Sequence, residues 1–413
     1  MKNELEKLLK LAKTAGASHA EVYQSRSLSR PVSFEANRLK QLESSQSEGI
    51  ALRLWRDGSP GLAVAYGAVA PHTLVEKAIA ISQLNPPEDC QLVENRSEII
   101  SPQGKEIAVP ELIEIGKNAI DRVRDLYPEV ICSAEFESEI ETTRIINTKG
   151  LDCQYTKISS SYYLGVEWVR GEDFLGIYEG DYTKEQIDPE KAIANILQRL
   201  EWAKSNASPP VGKLPILFTP TAAAMLWETI GEALNGKRVI EESSPWSENK
   251  GKIVLSKDLT ISQQPDKEPF SCPFDDEGNK TQYLSLINSG RLERFYTDLA
   301  VGKILGQGST GNGFRPSLGR YPTPELVNLV IEPGFGSLID LSKKLVTGAI
   351  VDRILGGGAD ISGDFSVNVD LGYRVEKGEI VGRIKDTMIA GNVYDALKQN
   401  IILGGDRSWY GSI

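Results

Sequence analysis

Residues 227–237 read Trp-Glu-Thr-Ile-Gly-Glu-Ala-Leu-Asn-Gly-Lys and outline a hydrolytic metal site. Metal-protease helices place two ligands about one turn apart, so that both point at one ion. A glutamate beside the first ligand then acts as general base on the metal-bound water. Here Glu228 and Glu232 are four apart and share a helical face. A carboxylate pair so placed is chemically able to hold a divalent cation. The simpler reading makes both solvated positions on an amphipathic helix whose apolar side is Ala223, Leu226, Ile230 and Leu234.

Histidine usage narrows the chemistry. The chain has 2 histidines, His19 and His72, and both lie in its first fifth. His19 leads into an expected strand and His72 sits at an expected helix start, so each reads as a surface or capping residue. A Ser-His-Asp or Cys-His arrangement would need one of them as base. A histidine-built zinc site would need both and more. Lysine-dependent or carboxylate-dependent chemistry stays open.

Two other polar segments have the residue types for binding. Pro273-Phe274-Asp275-Asp276-Glu277-Gly278 is a compact acidic turn. Its oxygens suit a divalent cation, but adjacent carboxylates cannot all point one way, so a surface turn is the expectation. The glycine-rich loop over 306–315 lacks the Lys-Ser/Thr pair of a phosphate cradle. It reads either as a set of tight turns needing positive φ, or as a peptide-binding loop in which Asn312 or Arg315 contacts the substrate.

Elements must position these residues. The 413-residue chain is long enough for two domains with substantial cores. The expected class is α+β: an N-terminal α+β domain over 1–208 with an antiparallel sheet and flanking helices, and a C-terminal β-rich domain over 209–413. A first helix runs over 3–15. Short strands follow at Glu21–Tyr23, Val32–Glu35 and Arg38–Glu43, then a hairpin of Ile50–Trp55 and Leu62–Tyr66 turning at Asp57-Gly58. A helix spans 72–84, and 85–109 reads as an irregular connection. A second helix starts at Pro110, with strands near 129–137, 140–147, 152–158 and 161–169. Asp188-Pro189 opens a helix that runs to about Ala203. The segment 206–213, Asn-Ala-Ser-Pro-Pro-Val-Gly-Lys, marks the boundary. Beyond it come a strand at Leu214–Phe218, the helix Thr221–Leu234, and mostly short strands and glycine loops, with helices near 337–346 and 392–398.

Charge and composition exclude some roles. The net charge is −11, with no basic run to offset it, which argues against direct nucleic-acid binding. No apolar stretch is long enough to span a membrane, and the N-terminus reads as an amphipathic helix and not a signal peptide. Four cysteines, Cys90, Cys132, Cys153 and Cys272, are widely spaced without a CxxC, which fits a reducing cytoplasm. Cys132 and Cys153 fall in expected strands and should be buried. Trp227, Trp246 and Trp409 are core or interface aromatics.

Taken together, the acidic turn, Ser309-Thr310-Gly311-Asn312, Gly363-Asp364-Phe365-Ser366, the N-terminal stretch 16–22 and the stretch 49–61 resemble the TldD/PmbA family. Members of that family were named as modulators of DNA gyrase and are peptidases acting in pairs. The resemblance covers nearly the whole chain. It implies that the TldD branch carries His-Glu-x-x-x-His on the helix and a cysteine near the C-terminus. Laid on this chain, the first histidine falls on Trp227, the glutamate on Glu228 and the second histidine on Glu232. Gly404-Gly405-Asp406 is followed by no cysteine. The pattern is similar to the PmbA branch, also called TldE, which lacks the metal motif and pairs with a TldD-like subunit.

The resemblance therefore implies a cytoplasmic, metal-free subunit of a peptidase complex acting on unfolded or extended peptides. No cofactor is expected in this chain, and zinc is expected in a TldD-like partner. Glu228 is the motif-equivalent catalytic candidate. Two alternatives stand beside this reading: an autonomous peptidase with a carboxylate-held metal, and a non-enzymatic protein-binding modulator. The chain ends at Ile413, where the resemblance implies a longer segment, so either a shortened last strand or a truncated sequence is expected.

Overall fold

A computed structural model of the chain describes residues 2–411. The helix α1 (Lys2–Thr14) precedes a sheet built from β1 (His19–Glu35), β2 (Arg38–Leu42), β3 (Ser45–Arg56), β4 (Ser59–Tyr66), β5 (Ser97–Gln103), β6 (Ile131–Asn147), β7 (Asp152–Arg170) and β8 (Asp173–Thr183). Helices α2 (Pro71–Ser82), α3 (Val109–Leu126) and α4 (Glu190–Trp202) punctuate it. The strand order is β4-β3-β1-β6-β7-β5, with β2 on β1 and β8 on β7. Every pairing is antiparallel except that of β5 with β7.

The helices occupy the two ends of one sheet face. At one end α1 and α2 bury Leu5, Leu8, Leu74 and Ala78 against Ala20, Val22, Leu52 and Leu54. At the other, α3 and α4 bury Leu112, Ile120, Val123 and Ile196 against Val32, Phe34, Phe136 and Leu164. Between these ends the strands carry half-buried polar residues such as Ser25, Arg26, Ser27 and Ser29. That polar middle is why the expected segments 21–23 and 32–35 are one 17-residue strand, β1. Alternation lapses where no helix covers the sheet, yet the ladder continues through Leu28↔Ile140. The same lapse splits β6 and β7 in the sequence. Strand β8 is absent from the expected elements because Gly176 and Gly180 interrupt its apolar pattern. Residues 97–103 of the expected irregular connection form β5.

The second half holds β9 (Ile216–Phe218), α5 (Pro220–Ala233), α6 (Gly236–Ile240), β10 (Ile261–Gln263), β11 (Leu284–Asn288), β12 (Arg291–Leu292) and α7 (Leu299–Ile304). These are followed by β13 (Gly313–Phe314), β14 (Thr323–Pro324), β15 (Leu329–Ile331), α8 (Leu338–Ser342), β16 (Thr347–Leu355), β17 (Asp364–Glu376), β18 (Glu379–Ile384), β19 (Met388–Asn392) and α9 (Val393–Ala396). One sheet runs β18-β17-β16-β9 with β19 on β17; another runs β12-β11-β10-β15. Helix α5 packs between them, with Met225, Leu226 and Ile230 in a core that includes Leu259, Ile261, Leu284 and Leu329.

The class is therefore mixed α+β, antiparallel sheet first and β-rich second. Among the described residues the halves meet through a single parallel backbone bridge, Asn206 with Arg383, and through apolar packing: Ile350, Leu371, Tyr373 and Val375 join the core under α3 and α4. Among the described residues no helix is long and apolar enough to cross a membrane.

Candidate functional site

The helix α5 begins where its sequence says it should. Thr219 is the N-cap and accepts a hydrogen bond from the Ala222 N–H, and Pro220 fills the first position, where a missing N–H costs nothing. Its burial reaches well round the helix and takes in Ala222, Ala224, Met225, Leu226, Thr229, Ile230 and Ala233. Glu228 stays exposed, and partial withdrawal from water pushes its carboxyl upward. No charged neighbour shapes it. Glu232 is engaged: Arg238 Nε donates to its Oε2 at 2.8 Å, and Arg238 Nη1 reaches Glu241 at 3.1 Å. Glu325 lies near enough that burial first, and then the Glu232 charge, raises its carboxyl.

Trp227 is half-buried and lines a cleft of about 960 Å³. The other walls come from Phe218, Leu329, Leu341, Ile389 and Leu403. This is the size and apolar character of a ligand site. A zinc ion fits poorly at the helix. Trp227 offers no donor at the first ligand position, Arg238 occupies an oxygen of Glu232, and Glu228 stands alone. Among the described residues no three His, Cys, Asp or Glu side chains gather to hold a metal ion.

The acidic turn lies elsewhere, and its expected surface position is corrected here. Asp275 is fully buried and Glu277 is 5% exposed. The expectation weighed these carboxylates against water, whereas the fold gives them backbone donors. Asp275 Oδ2 accepts from the Gly313 N–H at 2.9 Å, and Oδ1 from the N–H groups of Glu277 and Asn279. Asp276 Oδ2 accepts from the Arg315 N–H at 2.8 Å, and Glu277 Oε2 from the Leu299 N–H at 2.9 Å. The turn thus clamps the glycine loop and the start of α7. Gly313 must lack a Cβ, because one would lie 2.3 Å from Glu277 Oε2. Burial pushes all three carboxyls up, Asp276 to about 6.

Asn312 and Arg315, the two loop residues expected to meet substrate, lie in this joint. Asn312 is fully buried; its Nδ2 donates to Gln263 Oε1 at 2.6 Å and to the Glu325 carbonyl at 2.7 Å. The Arg315 side chain is 3% exposed and donates to Glu21 Oε1 at 2.7 Å. Arg53 donates to the other Glu21 oxygen at 3.2 Å. Glu21 is on β1 and Arg53 on β3, so the triad fastens the loop to the N-terminal sheet. The structure brings neither loop side chain to a surface open to a peptide, and neither lies with Glu228. The cleft, by contrast, is lined mainly by apolar side chains, Trp227 and Trp409 among them, together with Gly404 and Asp406.

His19 is half-buried at the start of β1 and His72 is exposed in the first turn of α2. Cys132 and Cys153 are buried, and Trp246 is in the core.

The family model described as the PmbA/TldA metallopeptidase C-terminal domain matches residues 211–413, and that of metallopeptidase domain 1 matches residues 20–82. The chain belongs to the PmbA/TldD metallopeptidase family. It is similar to a metalloprotease PmbA homolog of Haemophilus influenzae, 26% identical over 96% of this chain and 90% of the relative. It is also similar to a zinc metalloprotease TldD homolog of Saccharolobus solfataricus, 24% identical over 95% and 90%. A crystal structure of TldE from Thermococcus kodakarensis superposes with a TM-score of 0.90 at 25% identity, covering 98% of this chain and 95% of that one. Helix α5 carries residues 227–232, and its Trp227 lines the cleft.

Proposed function

We propose that this chain is the metal-free subunit of a paired PmbA/TldD-type metallopeptidase, working with a TldD-like partner that carries zinc on His-Glu-x-x-x-His. The observation that carries this reading is α5 itself. The helix, its cap and the cleft beside it are intact, while the ligand positions hold Trp227 and an arginine-paired Glu232. A helix kept in place without its ligands suits a structural and peptide-admitting role. Glu228 is then a surface position, and Asn312 and Arg315 are positioning residues for the loop. The substrates are extended or unfolded peptides whose apolar side chains the cleft accepts, and the complex works in the cytoplasm.

The test is co-expression with a TldD-like chain. The expected outcome is a complex that copurifies, carries zinc on the partner and cleaves peptides faster than the partner alone. Failure to associate and to raise activity sinks the reading. A stoichiometric metal on the isolated chain, lost in Glu232→Ala, would favour a carboxylate-held metal instead.

A further inference from the structure

The wall of the cleft opposite α5 differs from the others. Residues 401–410, Ile-Ile-Leu-Gly-Gly-Asp-Arg-Ser-Trp-Tyr, cross it with no regular secondary structure. They lie backbone to backbone on the loop between β15 and α8. The Gly334 N–H donates to the Gly404 carbonyl at 2.8 Å, and the Phe335 N–H to the Leu403 carbonyl at 3.2 Å. In return the Gly405 N–H donates to the Gly336 carbonyl at 2.7 Å. The approach is so close that a Cβ on Gly334 would lie 2.0 Å from the Leu403 carbonyl oxygen. Such pairing reads an extended chain of any sequence that brings small residues to the crossing.

The side-chain anchors are Ile401 and Leu403, partly buried against the core beside α5, Asp406, whose Oδ2 accepts from the Leu338 N–H at 2.5 Å, and Trp409. Leu403 lines the cleft, and Trp409 packs edge-on against Phe270 with ring centroids 5.6 Å apart. Phe270 in turn packs on Tyr182 of β8 at 5.0 Å. Lys191 of α4 donates to the Arg407 carbonyl at 3.2 Å. Ile402 is 66% exposed, and residues 405–408 are exposed throughout. A segment with exposed backbone hydrogen bonds and little buried apolar surface opens well before the sheets do.

We propose that residues 401–410 are a releasable strap. Bound, they close one side of the cleft. Released, they open it to an extended peptide with small residues flanked by apolar ones, which takes the strap's place on Gly334, Phe335 and Gly336. The strap is the chain's own stand-in for that peptide. The peptide part of this inference rests on the peptide-handling role proposed above. Pairing with a partner is read by copurification, so the failure of the one can be told from the failure of the other.

The experiment uses the full chain, its Trp409→Ala and Gly405→Pro variants, and a labelled synthetic peptide of the sequence 401–410. Hydrogen exchange is followed at the Gly334 and Phe335 amides, with Tyr373 in β17 as the control for intact fold. Exchange at the two amides should rise at least tenfold in both variants while Tyr373 is unchanged, and the peptide should bind each variant at least tenfold more tightly than the parent. Where Trp409→Ala disturbs the control, Gly405→Pro, which removes a single N–H, decides. Amides that stay protected, or equal peptide affinity for parent and variants, overturn the proposal.

Discussion

The joint around the acidic turn and the cleft beside α5 are opposites. The joint concentrates the residues that a search for chemistry would choose: Asp275, Asp276, Glu277, Asn312, Arg315, Arg53 and Glu21. Asp276 is half-buried and the other side chains are buried, and each makes at least one hydrogen bond inside the protein, although the Nε atoms of Arg53 and Arg315 are left without one. The cleft is walled mainly by apolar side chains, among them Phe218, Trp227, Leu329 and Ile389, with charged residues such as Glu332, Lys344, Asp406 and Arg407 also in its lining. Polar side chains whose hydrogen bonds are already spent within the fold position other elements. An apolar hollow, whose walls have no such obligation, is free to take a ligand.

The sharpest way to break this contrast is to cut the triad that fastens the loop to the N-terminal sheet. Arg315→Ala leaves Glu21 with Arg53 alone and removes a buried charge from among buried carboxylates. Removing one member of a buried, hydrogen-bonded ion pair costs about 3–5 kcal/mol. Urea unfolding should show a loss of that size. A loss near zero would mean that the joint is not the weld described and that Arg315 is free for another task.

Asn312→Ala tests the same point from the neutral side. It strands the Glu325 carbonyl, at about 1–3 kcal/mol for an unsatisfied buried group, and leaves Gln263 Oε1 with the Val327 N–H as its remaining donor. The expected loss is about 2–3 kcal/mol by denaturation. At temperatures where the variant remains folded, peptide cleavage by the reconstituted pair should match the parent. A selective loss of cleavage with stability unchanged would return Asn312 to the substrate.

These residues also show what the sequence could and could not disclose. The helix expected over Thr221–Leu234 is α5 to within a residue because its apolar positions recur at helical spacing, and the hairpin at Asp57-Gly58 is legible because the turn needs those residues. Both strand ends of the long β1 were legible from apolar alternation. Its middle was not, because Ser25–Arg30 owe their strand to neighbours distant in sequence. The acidic turn was placed at the surface because nothing local in 273–278 reveals that the donors it caps lie near residues 299, 313 and 315. The cleft left no signature at all, since apolar wall residues read as core until the hollow between them is seen.

The buried carboxyls give the joint a pH signature. Burial raises Asp276 to about 6, against the lowering pull of the Arg315 N–H and charge. A carboxyl whose folded value is raised contributes stability that is fully present below its unfolded value near 4. That contribution is lost as pH rises through about 6. Asp275 and Glu277 push in the same direction. Asp173 does not interfere: burial opposes it, but hydrogen bonds from Lys385, Asn206 and Arg170 hold it at about 2, so it acts only in acid. Stability should therefore fall between about pH 4 and 6 on account of Asp276, by on the order of 1–3 kcal/mol. Asp276→Asn should flatten that part of the slope in urea titrations at about pH 4, 5 and 6. An unchanged slope would show that Asp276 is ionised at low cost, and hence that water reaches the joint.

The smallest expected effect falls on the residue that first suggested a protease. Glu228 is exposed on α5, without an ion pair, opposite the helix's buried side. Glu228→Gln keeps its shape and removes its charge, so stability should change by less than about 0.5 kcal/mol. If the chain supplies only the frame, the reconstituted pair should cleave peptides at the parent rate. A general base contributes roughly 10²–10⁴-fold, so a catalytic Glu228 could not hide within experimental error. A loss of that size without loss of stability would place chemistry on this helix after all, and the contrast between a mainly apolar cleft and an internally bonded joint would then need a catalytic carboxylate on the helix beside the cleft.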